Sequence, residues 1–272
     1  MKPYLTKAEI PQRYPTDLTD EQWERLEPCL PAAKPGGRPR TIDLRQVFNG
    51  ILYLERAGCA WRMLPHDFPA WQTVYTYFRN WKRTGVWTQL HDTFQRALRL
   101  LSGRNEEPSA AILDSQSVKT AGKAEDKGYD AGKKVVGRKR HILVDTLGLI
   151  IAVVVHSAAI QDYDGAQSVL EQVRGKRPRL KLIWADSIYR HVVEWTQQRC
   201  GWVLEIVSRA AETVGFKVLP RRWVVERTFG WIGRYRRHSK DYETLTESSE
   251  AHIRIAMTHL MLRRITRNRL TW

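Results

Sequence analysis

Cysteine is scarce and scattered. The 272-residue chain holds three, Cys29, Cys59 and Cys200, too few and too far apart for a disulfide framework or a zinc knuckle. Such usage fits a reducing compartment. Long hydrophobic runs are missing as well: the longest, residues 147–155, is about half of the ~20 residues a spanning helix needs. The opening stretch MKPYLTKAEIPQRYP has no apolar core of the kind that directs secretion. There is no internal repeat and no low-complexity tract. Acidic residues are short, 29 against 45 Lys plus Arg, for a formal charge of +16. What is plentiful is core material, 42% hydrophobic and 10% aromatic, enough to exclude a disordered chain. A soluble, intracellular, strongly basic protein of one or two domains is expected.

The charge is uneven. Residues 217–272 carry 13 basic and 5 acidic side chains, half of the net excess in about a fifth of the chain. A basic surface interleaved with Trp and Tyr points to a polyanion held through phosphates, nucleic acid above all. Charge alone does not separate DNA from RNA.

The first hundred residues read as helices. Thr19 can cap a short helix, and Asp43 opens a stronger one with Leu44, Val47, Phe48, Ile51 and Leu54 on one face. A third helix places Trp71, Val74, Tyr75, Phe78 and Trp81 on one side and Arg79, Lys82 and Arg83 on the other. A fourth runs from about Thr88 to Leu101. Short helices with a basic outer face suit a helix-turn-helix-like DNA reader, with Lys82 and Arg83 as its candidate contacts, or a plain bundle. At SGRNEEP (102–108) composition changes, dividing the chain into a helical part (1–105) and a second part (106–272). There, strands are expected at 110–113, on both sides of an Asp145–Gly148 hairpin turn, at 180–185 and at 202–207. Helices are expected at 164–175, at 191–199 and from Arg221 onward. That order implies an α/β mixed sheet flanked by helices, with its first and fourth strands parallel neighbours.

Three acids stand out. Asp114 and Asp186 each terminate an apolar strand, in AAILDSQS and KLIWADSIY, and Glu226 interrupts the apolar run of RRWVVERTFGWI. Carboxylates brought together repel, and a divalent cation resolves the conflict. Oxygen donors without His or Cys suit magnesium, with manganese as a substitute. Two ions about 4 Å apart could activate a water or 3′-hydroxyl and stabilise the leaving oxygen of a phosphodiester. The plainer readings are turn caps for the aspartates and an Arg222–Glu226 helix pair. Asp162 and Asp164, in QDYDG, are the main competing acids, and Asp164 reads as a helix N-cap rather than a ligand. The spacing of Arg222, Glu226, Gly230, Gly233 and Arg237 puts them on one helix face, where the glycines leave a groove for a phosphate backbone or for close packing on the sheet. Arg227, Arg234, Arg236 and Lys240 widen that positive surface, and Arg138, Lys139 and Arg140 form a second basic run.

The strings YPTDLTDEQWERLEPCLP, GRPR and CAWRMLPHDFPAWQTVYTYFRNW, then ILDSQSVKTA, GRKRHILVDTLGLIIAVVV, WADSIY and WVVERTFGWIGRYRRHSKDYE, resemble the DDE transposases of bacterial insertion-sequence family 5, within the broader family 4 group. The resemblance covers almost the whole chain. It implies a helical N-terminal DNA-binding domain and a ribonuclease H-like catalytic core. It also implies an acidic triad on Asp114, Asp186 and Glu226 with two magnesium ions, and at least a homodimer on two terminal inverted repeats. The implied reaction is hydrolysis at the element ends, then attack of the 3′-hydroxyls on target DNA, in the bacterial cytoplasm at the nucleoid. The related group has a Tyr-Arg-Glu-Lys signature; Arg222 and Glu226 match it, whereas Leu219 stands for the Tyr and Gly233 for the Lys, with Arg234 or Lys240 as substitute cations. Ile188 is bulkier than the small residue often found after the second aspartate. Two other functions remain open: a transposase-derived DNA-binding protein that does not cut, and a ribonuclease H-like nuclease on RNA–DNA hybrids.

Overall fold

The computed structural model describes residues 13–33, 36, 39–122, 124–207 and 221–267. Helix α1 (Asp20–Leu26) begins at a full capping box: Gln22 N–H donates to the Thr19 hydroxyl, and Thr19 N–H donates to the Gln22 side chain. Asp43 caps α2 (Leu44–Ala57) by accepting from the backbone N–H groups of Arg45 and Gln46. Then follow α3 (Trp71–Arg83) and α4 (Val86–Leu101). The α3 stripe goes inward through Val74, Phe78 and Trp81, while Tyr75 is exposed.

The second part is one mixed sheet. Its strands are β1 (Ala110–Lys119), β2 (Gly128–Asp130), β3 (Val135–Asp145), β4 (Ile150–Ser157), β5 (Leu182–Ala185) and β6 (Val203–Ile206). The path runs β2-β3-β1-β5-β6, with β4 also on β3. Helix α5 (Asp162–Val173) and α6 (Val193–Cys200) cover one face; α7 (Trp223–Gly233) and α8 (Thr246–Thr266) cover the other. A helical N-terminal region followed by this α/β sheet is the mixed sheet flanked by helices expected from the element order, and it agrees with the ribonuclease H-like class that the resemblance implies. No helix among the described residues is long and apolar enough to cross a membrane.

Several elements depart from expectation. β1 does not stop at Asp114 but continues to Lys119, because β3 pairs with it along that whole length. β2 lies in a segment read as loop. α5 starts at Asp162 after Gln161, so Asp164 sits inside the first turn rather than at the cap. The C-terminal helical stretch is broken: α7 ends at Gly233, a single 3₁₀ turn covers Arg236–His238, and α8 starts at Thr246. The hairpin holds where expected. Gly148 takes φ of 80°, and the buried Asp145 carboxylate accepts from Leu147 and Leu149 N–H. Arg99 of α4 reaches the same carboxylate at 2.6 Å. α8 packs among the N-terminal helices, so Ile255, Met261 and Leu262 share one core with Phe48, Trp87 and Leu98.

Gly165 sets how closely α5 lies on the sheet. A Cβ there would come within 2.5 Å of both His141 Nδ1 and His156 Nε2. Gly165→Ala is therefore expected to cost about 1–3 kcal/mol as overpacking. Urea unfolding checks this, with a lowered midpoint at constant m-value as the expected result and an unchanged midpoint as the contrary one.

Candidate active site

β1 and β5 run parallel, with Ala110 opposite Leu182, Ala111 opposite Ile183 and Ile112 opposite Trp184. Carried on by one more alternation, that register puts Asp114 and Asp186 at one level. There β5 ends and β1 parts from it. Side chains alternate along β1, so Ile112 and Asp114 face α7 while Leu113 and Ser115 face α5. Asp186 leaves the sheet as the cap of a 3₁₀ turn, Ser187–Val192, accepting from Ile188 N–H at 3.0 Å. Ile188 itself is exposed.

Arg222, just before α7, joins the two aspartates. Its Nη2 lies 3.4 Å from Asp186 Oδ2 and 3.8 Å from Asp114 Oδ2. Burial pushes the Asp114 carboxyl up to about 6, and the negative charge of Asp186 adds to this; Ser115 N–H and Arg222 oppose it. A half-buried carboxylate pair held by one shared guanidinium is a site built for positive charge.

The third acid stands apart. Glu226 lies in the first turn of α7, where the helix dipole favours a carboxylate, and is exposed. It does not pair with Arg222, which turns to the aspartates instead. Among the described residues, no three His, Cys, Asp or Glu side chains converge closely enough to hold a metal ion. The donors that do converge, two carboxylates with no nitrogen or sulfur, fit a magnesium-like ion. Such an ion keeps several waters and needs only one or two protein carboxylates. α7 is seated by its other side: Thr228 Oγ1 donates to Gly148 O at 2.8 Å, and Arg227 Nη2 to Leu147 O at 3.0 Å.

Behind Asp114, on the α5 face, lies a network that sequence reasoning missed. Ser115 Oγ donates to Asp162 at 2.7 Å, and Lys133 Nζ reaches Ser115 O and Oγ at 3.3 Å. Asp162 also faces Lys139 at 3.3 Å and His141 at 3.5 Å. Although burial opposes it, bonds from His141 and Ser115 hold the Asp162 carboxyl far below its usual range. The signal in the sequence was the QDYDG segment, where Asp162 rather than Asp164 makes these bonds.

The basic residues sort by burial. Arg138, Lys139 and Arg140 are buried and cannot serve as surface DNA contacts. They occupy a central strand covered on both faces, so side chains of either parity go inward. Arg138 bonds Asp241, Ser249 and the carbonyls of Glu125, Glu243 and Thr244; Lys139 bonds Ile160 O; Arg140 bonds the carbonyls of His238 and Lys240. Arg237 is likewise buried, on Glu243 and Cys59 O. It lies beyond the end of α7, so the expected face stops at Gly233. Lys82 is half-buried and donates to Ser248 at 3.0 Å. Arg83, Arg234, Arg236 and Lys240 are exposed. Gly230 and Gly233 have nothing within 4 Å of a built Cβ, so packing on the sheet does not explain them. Leu219 lies outside the described residues.

Residues 105–261, which contain all three acids, match the family described as the transposase DDE domain. Residues 18–91 match a domain of unknown function ascribed to transposases of the IS4/5 family. A protein of Burkholderia cepacia described as an insertion element IS402 uncharacterized 16.2 kDa protein is 31% identical over 119 residues, covering 41% of this chain and 78% of that protein. The uncharacterized protein y4sN of Sinorhizobium fredii (strain NBRC 101917 / NGR234) is 30% identical over 69 residues, covering 25% and 55% respectively.

Proposed function

We propose, for a chain that belongs to the transposase DDE-domain family and is a transposase of an IS4/5-type insertion element, that it binds the element's terminal inverted repeats, cuts their ends and joins the freed 3′-hydroxyls to target DNA. The observation that carries this reading is the Asp114–Asp186 pair, with Asp114 in β1 and Asp186 just past the end of the adjacent parallel β5, sharing Arg222. Residues 1–105 would read the repeats and residues 106–272 would carry the chemistry, in a homodimer that holds both ends.

The family typically uses divalent metal ions. Asp114 and Asp186 would hold a magnesium ion, with Glu226 as the acid that approaches for a second. Bound there, such ions supply Lewis acidity and a more acidic water or 3′-hydroxyl at the scissile phosphate. Arg222 neutralises the carboxylate pair in the resting protein and stands ready for a phosphodiester oxygen once the pair is otherwise neutralised. Ser115 and Asp162 hold the strand from behind, so that Asp114 keeps its orientation. The open face of α7 at Gly230 and Gly233 admits a duplex backbone close to Glu226.

A second reading, a DNA-binding protein that does not cut, draws on the separation of Glu226 from the aspartates. One experiment distinguishes the two. Purified protein is given labelled duplexes bearing the repeats that flank its own locus, with magnesium, beside Asp186→Asn. A magnesium-dependent nick at the repeat boundary in wild type alone is expected. Specific binding with no nick, in manganese as well, would establish the second reading.

A further inference from the structure

We infer that Arg56, Arg234, Arg263 and Arg267 form a phosphate-binding seam where α2, α7 and α8 meet, a guanidinium surface for the backbone of duplex DNA outside the carboxylate site. The inference rests on the DNA-acting reading above and adds a binding surface to it. Arg56, in the last turn of α2, is exposed. Its Nη1 donates to Arg234 O at 2.6 Å, and its guanidinium lies 5.5 Å from the Tyr235 ring centroid. The Tyr235 hydroxyl is 3.2 Å from His259 Nδ1 on α8. One helical turn beyond His259 comes Arg263, and a turn later Arg267. Arg264, between them, stacks on Trp231 of α7 at 4.0 Å. Three elements distant in sequence thus deliver guanidiniums to one place.

These cations oppose one another. Arg263 is held below its ordinary range by burial, then by Arg267 and Arg56. Arg264 is pushed down to about 10 by burial, then by Arg227 and Arg234. His259 falls to about 3 through burial and the charges of Arg263 and Arg56. Among the described residues, none of Arg56, Arg234, Arg263 and Arg267 has a carboxylate within ion-pair distance. Elsewhere several enclosed arginines meet acids, Arg99 with Asp145, Arg138 with Asp241, Arg177 with Glu107 and Arg237 with Glu243, whereas Arg140 meets carbonyls. Asp17 and Glu21 line the hollow beside Arg263 and Arg267, but a surface on which guanidiniums outnumber acids is stabilised by an external polyanion. Arginine in place of lysine favours phosphate, which a planar guanidinium grips with two parallel N–H bonds. The seam continues the line of α7 from Arg222 to Arg234, a span of about 18 Å at 1.5 Å per residue. That is about five base-pair steps of duplex, so a strand end at the aspartates would bring its flanking backbone to the seam.

The test measures affinity for a repeat-bearing duplex and for a random duplex of equal length, from 50 to 200 mM salt, with wild type, the double variant Arg56→Gln/Arg263→Gln and the exposed single variant Arg267→Gln. In a plot of log affinity against log salt, the slope is expected to shrink by about 0.9 for each phosphate no longer gripped. That means about two for the double variant and one for the single, equally on both duplexes. A sloping wild-type response that both folded variants keep unchanged would overturn the seam alone. Weakening confined to the repeat duplex would also overturn it, because the arginines would then be reading bases. A wild type whose binding ignores salt would overturn the DNA reading itself and the seam with it. Tight binding of polyglutamate that the double variant loses, with DNA affinity unmoved, would assign the surface to an acidic polypeptide instead.

Discussion

Asp114→Asn is expected to abolish strand cleavage while leaving repeat DNA bound. The amide keeps the size of the side chain and an oxygen for Ser115 N–H, which donates to Asp114 Oδ1 at 2.7 Å. What it removes is one of two charges that a divalent cation would need. A loss of three orders of magnitude or more in cleavage rate, equivalent to about 4 kcal/mol in barrier, is the expected outcome. Full cleavage by this variant would end the assignment.

The same substitution carries an opposite signature in stability. The folded Asp114 carboxyl titrates near 6, against an ordinary 3.8, because burial and then Asp186 disfavour its charge. The folded state therefore holds this proton more tightly than the unfolded state. Its stabilising contribution is complete below about pH 4 and is lost as pH rises through 6. In metal-free protein at pH 7.5 the ionised group weakens the fold by on the order of 3 kcal/mol, and Asn removes that burden. With chelator present, the variant should melt above wild type at pH 7.5 and level with it below pH 4. Added magnesium should raise the melting point of wild type and not of the variant. A variant that melts lower than wild type at pH 7.5 would show that Asp114 is held by favourable bonds rather than poised for a cation.

Local chemistry made much of the fold legible. Thr19 with Gln22, Asp43 before Leu44, and Asp145 with Gly148 are signals confined to a few residues, and each produced its cap or turn. Both aspartates end runs of apolar residues that pair in parallel, which is why their common level could be anticipated. Long-range pairing was not legible. Arg138, Lys139 and Arg140 look like a surface run until their partners arrive from elsewhere in the chain, Asp241 lying 103 residues from Arg138. Glu55 was overlooked although the sequence marks it. It follows Ile51 by four residues and so falls on the apolar face of α2, where a carboxylate needs a buried partner. The position of Glu226 relative to the aspartates depends on how α7 docks onto the β3–β4 turn through Thr228 and Arg227, and no spacing within the helix encodes that.

Glu55→Gln is expected to be the most destabilising single polar change among the described residues. Glu55 is fully buried on α2, in an ion pair with His252 of α8 and 3.2 Å from His238. His252 Nε2 faces Glu243 at 3.4 Å, and Glu243 pairs with Arg237. Burial alone would raise the Glu55 pKa, but His252 and His238 hold it down to about 2. Burial would likewise lower His252, but Glu55 and Glu243 lift it to about 9. The two are thus ionised together, tying the N-terminal helices to α8 and the turn after α7. Removing one partner of a buried pair costs about 3–5 kcal/mol, because the other charge stays buried. The pH dependence has two limbs. The Glu55 contribution is present above about 4.5 and lost as pH falls toward 2, whereas the His252 contribution is present below 6.5 and lost as pH rises through 9. The stability gap between wild type and variant, followed by urea unfolding from pH 3 to 10, should therefore be widest between about 4.5 and 6.5 and close on either side. A gap that stays constant across that range would mean that shape rather than charge holds the helices to α8.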